Sequence, residues 1–94
     1  MKDEAKMTMA SQIETKLTAE FAPEFLEVID ESEHHRGHGG WREGGETHFR
    51  VRMTAASLTG LSRVARQRAV NKCLEVELAT DVHALAMELR APGE

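Results

Sequence analysis

The 94-residue chain has no tyrosine, a single tryptophan, three phenylalanines, two prolines and one cysteine, Cys73. A core built from this sequence is therefore mostly aliphatic. One cysteine excludes an internal disulfide, and it excludes a self-contained tetrathiolate zinc or iron-sulfur site. Any metal centre needs histidine or a second molecule to complete it. No run approaches the ~18 apolar residues of a membrane span, and the opening MKDEAKMTMASQ is too polar and acidic for a secretory signal. These features lead us to expect a cytoplasmic protein that does not associate with membranes. The length suits one small domain and excludes separate catalytic and regulatory domains. Recognisable catalytic signatures are also missing: there is no phosphate loop, dinucleotide fingerprint or nucleophile elbow, and Ser57, Ser62 and Cys73 have no motif around them. We expect no enzyme. Cys73, on an apolar stripe, reads as a small hydrophobe.

Acidic residues are absent from positions 47–74, where six bases stand, whereas the whole chain carries a net charge of −4. Residues 1–33, 34–46, 47–74 and 75–94 sum to −6, 0, +6 and −4. The basic block comprises Arg50, Arg52, Arg63, Arg66, Arg68 and Lys72. It reads either as a solvated face balancing acidic flanks or as a surface that steers an anionic partner.

Hydrophobic periodicity divides the chain into elements. Ile13, Leu17 and Phe21 recur every four residues, predicting an amphipathic helix from about Ser11 to Phe21 that Pro23 stops. The short β-branched run Phe25–Asp30 reads as a first strand. Residues 31–46, ESEHHRGHGGWREGGE, hold five of the seven glycines and read as a long mobile loop carrying His34, His35 and His38. From His48 to Met53 apolar and polar residues alternate, which predicts a second strand with Phe49, Val51 and Met53 toward the core and His48, Arg50 and Arg52 outward. Ser62 is a plausible cap for a helical region whose apolar stripe drifts near Gln67, as two short helices or one bent helix would make it do. His83–Leu89 reads as a third strand, with His83 at the rim of the sheet.

The resulting order, α-β-β-α-α-β, predicts an α+β fold: a three-stranded mixed sheet with helices on one face, as in class II KH domains. The boundaries expected are a flexible N-terminus over 1–10, one domain over 11–90 and a tail over 91–94. A KH domain grips nucleic acid through a GXXG loop between helices. Here the one match, Gly37-His38-Gly39-Gly40, lies between strands, so recognition of RNA by that mechanism is not expected.

Two sets of residues carry candidate chemistry. His34, His35 and His38 on the loop and His83 at a strand end offer imidazole ligands for zinc, copper or iron. Arg63, Arg66, Arg68 and Lys72 on the helical region offer contacts to nucleic-acid phosphates.

Four segments in order resemble the BolA family. They are Phe25-Leu26-Glu27-Val28-Ile29-Asp30-Glu31-Ser32, Glu46-Thr47-His48-Phe49, the stretch Thr59-Gly60-Leu61-Ser62-Arg63-Val64-Ala65-Arg66-Gln67-Arg68-Ala69-Val70, and Val82-His83-Ala84-Leu85. The resemblance runs from about Ile13 to Leu89. It implies the same α-β-β-α-α-β fold, a monothiol glutaredoxin as partner, and a 2Fe-2S cluster shared with that glutaredoxin and glutathione. No cluster is expected in the isolated chain, which would be a monomer or weak homodimer. By this resemblance His83 is one cluster ligand and His35, three residues after Ser32, the other, with His34 and His38 as alternatives. Some family members are DNA-binding regulators, so the alternative partner is DNA. Gln67 replaces the central histidine of the family's Arg-His-Arg, and Leu58 replaces a phenylalanine. Arg66 and Arg68 are retained.

Overall fold

The computed structural model describes residues 8–31 and 47–94. Helix α1 spans Met9–Phe21, beginning two residues before the expected start. Thr8 caps it, its Oγ1 accepting from the Ser11 N–H at 3.1 Å. Met9, Ile13, Leu17 and Phe21 are all buried, so the four-residue stripe begins one step earlier than Ile13. The helix ends at Ala22, which adopts a left-handed conformation with φ 45° and donates its N–H to Thr18 O.

Strand β1, Phe25–Asp30, pairs antiparallel with β2, His48–Thr54, and β2 pairs parallel with β3, Ala84–Arg90. The order β1-β2-β3 makes β2 central. Parallel pairing of β2 with β3 requires a long connection, and the helical region provides it. In register, Val28 lies beside Val51 and Val51 beside Met87. Because side chains alternate along a strand, Val28, Phe49, Val51, Met53, Leu85, Met87 and Leu89 share one face. That face packs against α1 and against Val70 and Leu74 to form the core.

The helical region is two helices. After a 3-10 turn at Ala56–Leu58 and a positive-φ glycine, Gly60, α2 runs Arg63–Cys73 with Ser62 as its cap, the hydroxyl accepting from Ala65 N–H. The shorter α3 covers Glu75–Thr80. Their joint is Leu74, not the neighbourhood of Gln67. Leu74 is 1% exposed and pins the joint in the core, with φ −106° and ψ 21°. The drift at Gln67 has another cause: Leu61 and Val64, apolar at helical spacing, are exposed and take no part in the core. Glu77 of α3 is buried and reaches Lys16 of α1, Nζ donating to Oε1 at 3.0 Å. None of the described helices is long and apolar enough to cross a membrane.

Candidate functional site

The start of β3 is tied to the start of β2 by one carbonyl. Thr47, fully buried, accepts at its backbone oxygen from the His83 N–H at 2.7 Å and from the Ala84 N–H at 3.2 Å. His83 is therefore fixed at its backbone immediately before the strand, while its side chain is exposed. This is the rim position expected of it.

His48 lies beside His83. Its ring is nearly parallel to that of His83, 12° between planes with centroids 6.1 Å apart, an offset stack. The Oγ1 of Thr47 and Nδ1 of His48 are 2.8 Å apart, a hydrogen bond whose direction depends on the imidazole tautomer. The alternation along β2 places His48 on the same face as Arg50 and Arg52, as expected, but the expectation that it faces solvent is wrong. It is only 6% exposed. Facing away from the hydrophobic layer is not the same as facing water when neighbouring groups cover the strand end. Sequence reasoning passed over His48 as a site residue, although its place directly after Thr47 in the Thr-His-Phe segment was the available signal.

The backbone oxygen of His48 accepts from the Glu31 N–H at 2.7 Å. Glu31 and Thr47, the described residues on either side of segment 32–46, thus lie at the same end of the sheet as His83. His34, His35 and His38 lie within that segment, outside the described residues. Among the described residues, no three His, Cys, Asp or Glu side chains gather into a group able to hold a metal ion.

Cys73 is a poor ligand where it stands. It is partly buried at the end of α2, its Sγ 3.6 Å from Lys16 O. Burial and the nearby Glu20 carboxylate push its thiol pKa up, so the protonated form prevails at neutral pH.

The six bases do not form one open surface. On the sheet face away from the helices, Arg50 pairs with Glu31 at 2.8 Å and Glu88 at 3.2 Å, and Arg52 pairs with Glu27 at 3.1 Å and Glu88 at 3.2 Å. Glu31, directly after β1, is thus an ion-pair partner. Of the four helical cations expected at phosphates, Arg66 is held by Glu94 at 2.6 Å and its side chain is 11% exposed. Arg63, Arg68 and Lys72 are exposed on α2, with no ion pair found for them among the described residues.

Comparison with known proteins places these features in a family. The sequence model described as BolA, BolA-like protein, matches residues 17–94. A Sinorhizobium sp protein described as an uncharacterized protein in the cobS 5'region is 51% identical over 89 residues, 94% of this chain and 96% of its own. A Vibrio cholerae protein named DNA-binding transcriptional regulator BolA is 48% identical over 75 residues, 80% of this chain and 67% of its own. Among solved structures, BolA1 from Arabidopsis thaliana superposes with a TM-score of 0.82 at 33% identity, covering 93% of this chain and 95% of that one.

Proposed function

The chain belongs to the BolA-like family, and from that premise we propose that it is a non-enzymatic, cytoplasmic partner of a monothiol glutaredoxin with which it shares a 2Fe-2S cluster. His83 is the ligand at the sheet rim and His35 the ligand from segment 32–46. The observation that carries this reading is the construction around His83: an exposed imidazole on a backbone fixed by the Thr47 carbonyl, with the buried His48 ring stacked beside it. A ligand held this way loses little freedom on binding.

The donor set fits a shared cluster better than a resident one. The lone thiol is raised in pKa and partly buried, so thiolates come from the glutaredoxin and glutathione. Imidazole replacing thiolate at one iron raises the cluster's reduction potential. The chain's own residues present the imidazole, hold its backbone and place Glu31 and Thr47, on either side of segment 32–46, at the same end of the sheet.

Anaerobic reconstitution with a monothiol glutaredoxin, iron, sulfide and glutathione tests the proposal. The expected result is a heterocomplex whose visible absorption and circular dichroism change or vanish in His83→Ala while the variant stays folded. A wild-type chain that forms no such complex, or a spectrum indifferent to His83→Ala, overturns it.

A second reading, DNA binding, is favoured by the name of the Vibrio relative and by the three exposed cations Arg63, Arg68 and Lys72 on α2. Affinity for duplex DNA should then fall with salt. A flat response removes that reading.

A further inference from the structure

A cleft of about 440 Å³ opens between α2 and the outer edge of β3, lined by Leu61, Arg63, Arg66, Met87, Leu89 and Arg90 among others. It lies along the last half of β3, whereas His83 precedes the first residue of that strand. Arg66 is the built part of it. Its Nε donates to Leu61 O at 3.0 Å and its Nη1 to Leu89 O at 3.3 Å, which fixes the guanidinium plane. The fork that remains holds the Glu94 carboxylate at two points, Nη1 to Oε1 at 2.6 Å and Nη2 to Oε2 at 2.7 Å. Two-point pairing of this kind is the strong, directional form of the interaction.

Glu94 reaches this seat through a tight turn. Its N–H donates to Ala91 O at 3.2 Å across Pro92 and Gly93, and Gly93 takes φ 90°, which glycine tolerates without strain. The same carboxylate accepts from the Ala91 N–H at 3.0 Å. The Arg66 hydrogen bonds, and after them the Ala91 N–H, hold the Glu94 carboxyl down to about 2. Beside this charged point Leu61, Met87 and Leu89 give the cleft an apolar wall among Arg63, Gln67, Glu88 and Arg90; Leu61 is 39% exposed, and Val64, three residues further along the chain, is 52% exposed. Among the described residues no strand pairs with the outer edge of β3.

We propose that this cleft is a receptor for an extended segment of another protein, an acidic residue flanked by aliphatic ones laid along the β3 edge, and that Glu94 occupies it as the chain's own substitute. Edge strands are ready templates for such added segments. A peptide suits the cleft better than single-stranded nucleic acid. None of its lining residues is aromatic, so bases have no stacking platform. The tethered Glu94 competes at high effective concentration, which keeps the cleft weak until that carboxylate is displaced or neutralised. The proposal is independent of the cluster reading, because it concerns the other end of β3.

The test uses the full chain, with acetyl-Leu-Glu-Leu-amide as probe and acetyl-Leu-Gln-Leu-amide as control, followed by NMR. In Glu94→Gln the glutamate peptide should bind about tenfold or more tightly than in wild type, shifting the Arg66 Nε–Hε resonance. The glutamine peptide should not. In wild type, millimolar glutamate peptide should shift the Ala91 amide as Glu94 releases it, so the test does not depend on one variant. Arg66→Lys should abolish the gain, and Arg68→Lys should leave it intact. Absence of any shift at Arg66 in Glu94→Gln and at Ala91 in wild type overturns the proposal. So does oligothymidylate binding at the Arg66 resonance more tightly than the peptide, which would make the cleft a nucleic-acid site.

Discussion

Thr47 does two things from one buried position: its carbonyl holds the backbone of His83, and its hydroxyl bonds the His48 ring. Only the second depends on the side chain. Thr47→Val is nearly isosteric and keeps the carbonyl, so it isolates the hydroxyl. It should cost about 1 kcal/mol of stability, the net worth of one buried hydrogen bond, measured as a shift in the urea midpoint at unchanged slope. At Glu94 the prediction concerns protons. The Arg66 hydrogen bonds, with the Ala91 N–H, lower its carboxyl from the ordinary 4.5 to about 2. A depressed carboxylate contributes stability that is complete above the unfolded value and disappears as pH falls through the folded one. The Arg66–Glu94 link should therefore weaken between about pH 4.5 and about pH 2. The Glu94 side-chain carboxyl carbon, followed by NMR, should titrate near the lower value in wild type and move toward the upper one in Arg66→Gln, with the Ala91 N–H still holding it below. His48, by contrast, could be assigned to a face from sequence but not to a burial, since alternation says which way a side chain points and not what covers it.

Among the elements, α1 ends on a conformation that its residue type disfavours. Ala22 has φ 45°, where an L side chain crowds the following carbonyl. Glycine fits there without that cost, offset in part by its greater freedom in the unfolded chain. Ala22→Gly should raise stability by about 0.5 kcal/mol, visible as a higher midpoint in thermal or urea unfolding. The strands were the most legible elements: β1 coincides with the predicted Phe25–Asp30, and β2 extends the expected run by one residue to Thr54. Local alternation and the bounding Pro23 suffice for that. The joint between α2 and α3 was not legible. It depends on Leu74 meeting the sheet and α1, while Leu61 and Val64, apolar at helical spacing, meet no partner. The link from Lys16 to Glu77 spans 61 residues and has no local signature.

Over the whole molecule the charge blocks counted from sequence are real, but folding interleaves them. Strand pairing puts Glu27 beside Arg52 and Arg52 beside Glu88, so acids from the flanking blocks neutralise the first two bases of the basic one. What is left exposed on α2 is Arg63, Arg68 and Lys72. Three phosphate contacts release few counterions, so any duplex binding should show a slope of log affinity against log salt no steeper than about −2.7. Fluorescence anisotropy across a salt series measures it. A slope of about −5.4 would mean that the paired arginines open on binding.

The amino-acid sequence by itself determined the element order, the strands to within one residue at each end (β3 runs Ala84–Arg90 where His83–Leu89 was expected), the aliphatic stripe of α1, the Ser62 cap and the rim position of His83. Each follows from interactions within a few residues or from a period of two or near four. Tertiary structure alone decided that His48 is buried against His83, that Leu74 is the helical joint, and that Arg50, Arg52 and Arg66 are engaged by Glu31, Glu88, Glu27 and Glu94. Those outcomes join residues from 19 to 38 positions apart wherever an arginine is involved. At that separation local chemistry selects no partner, and the register of the sheet together with the packing of α2 on its edge makes the choice.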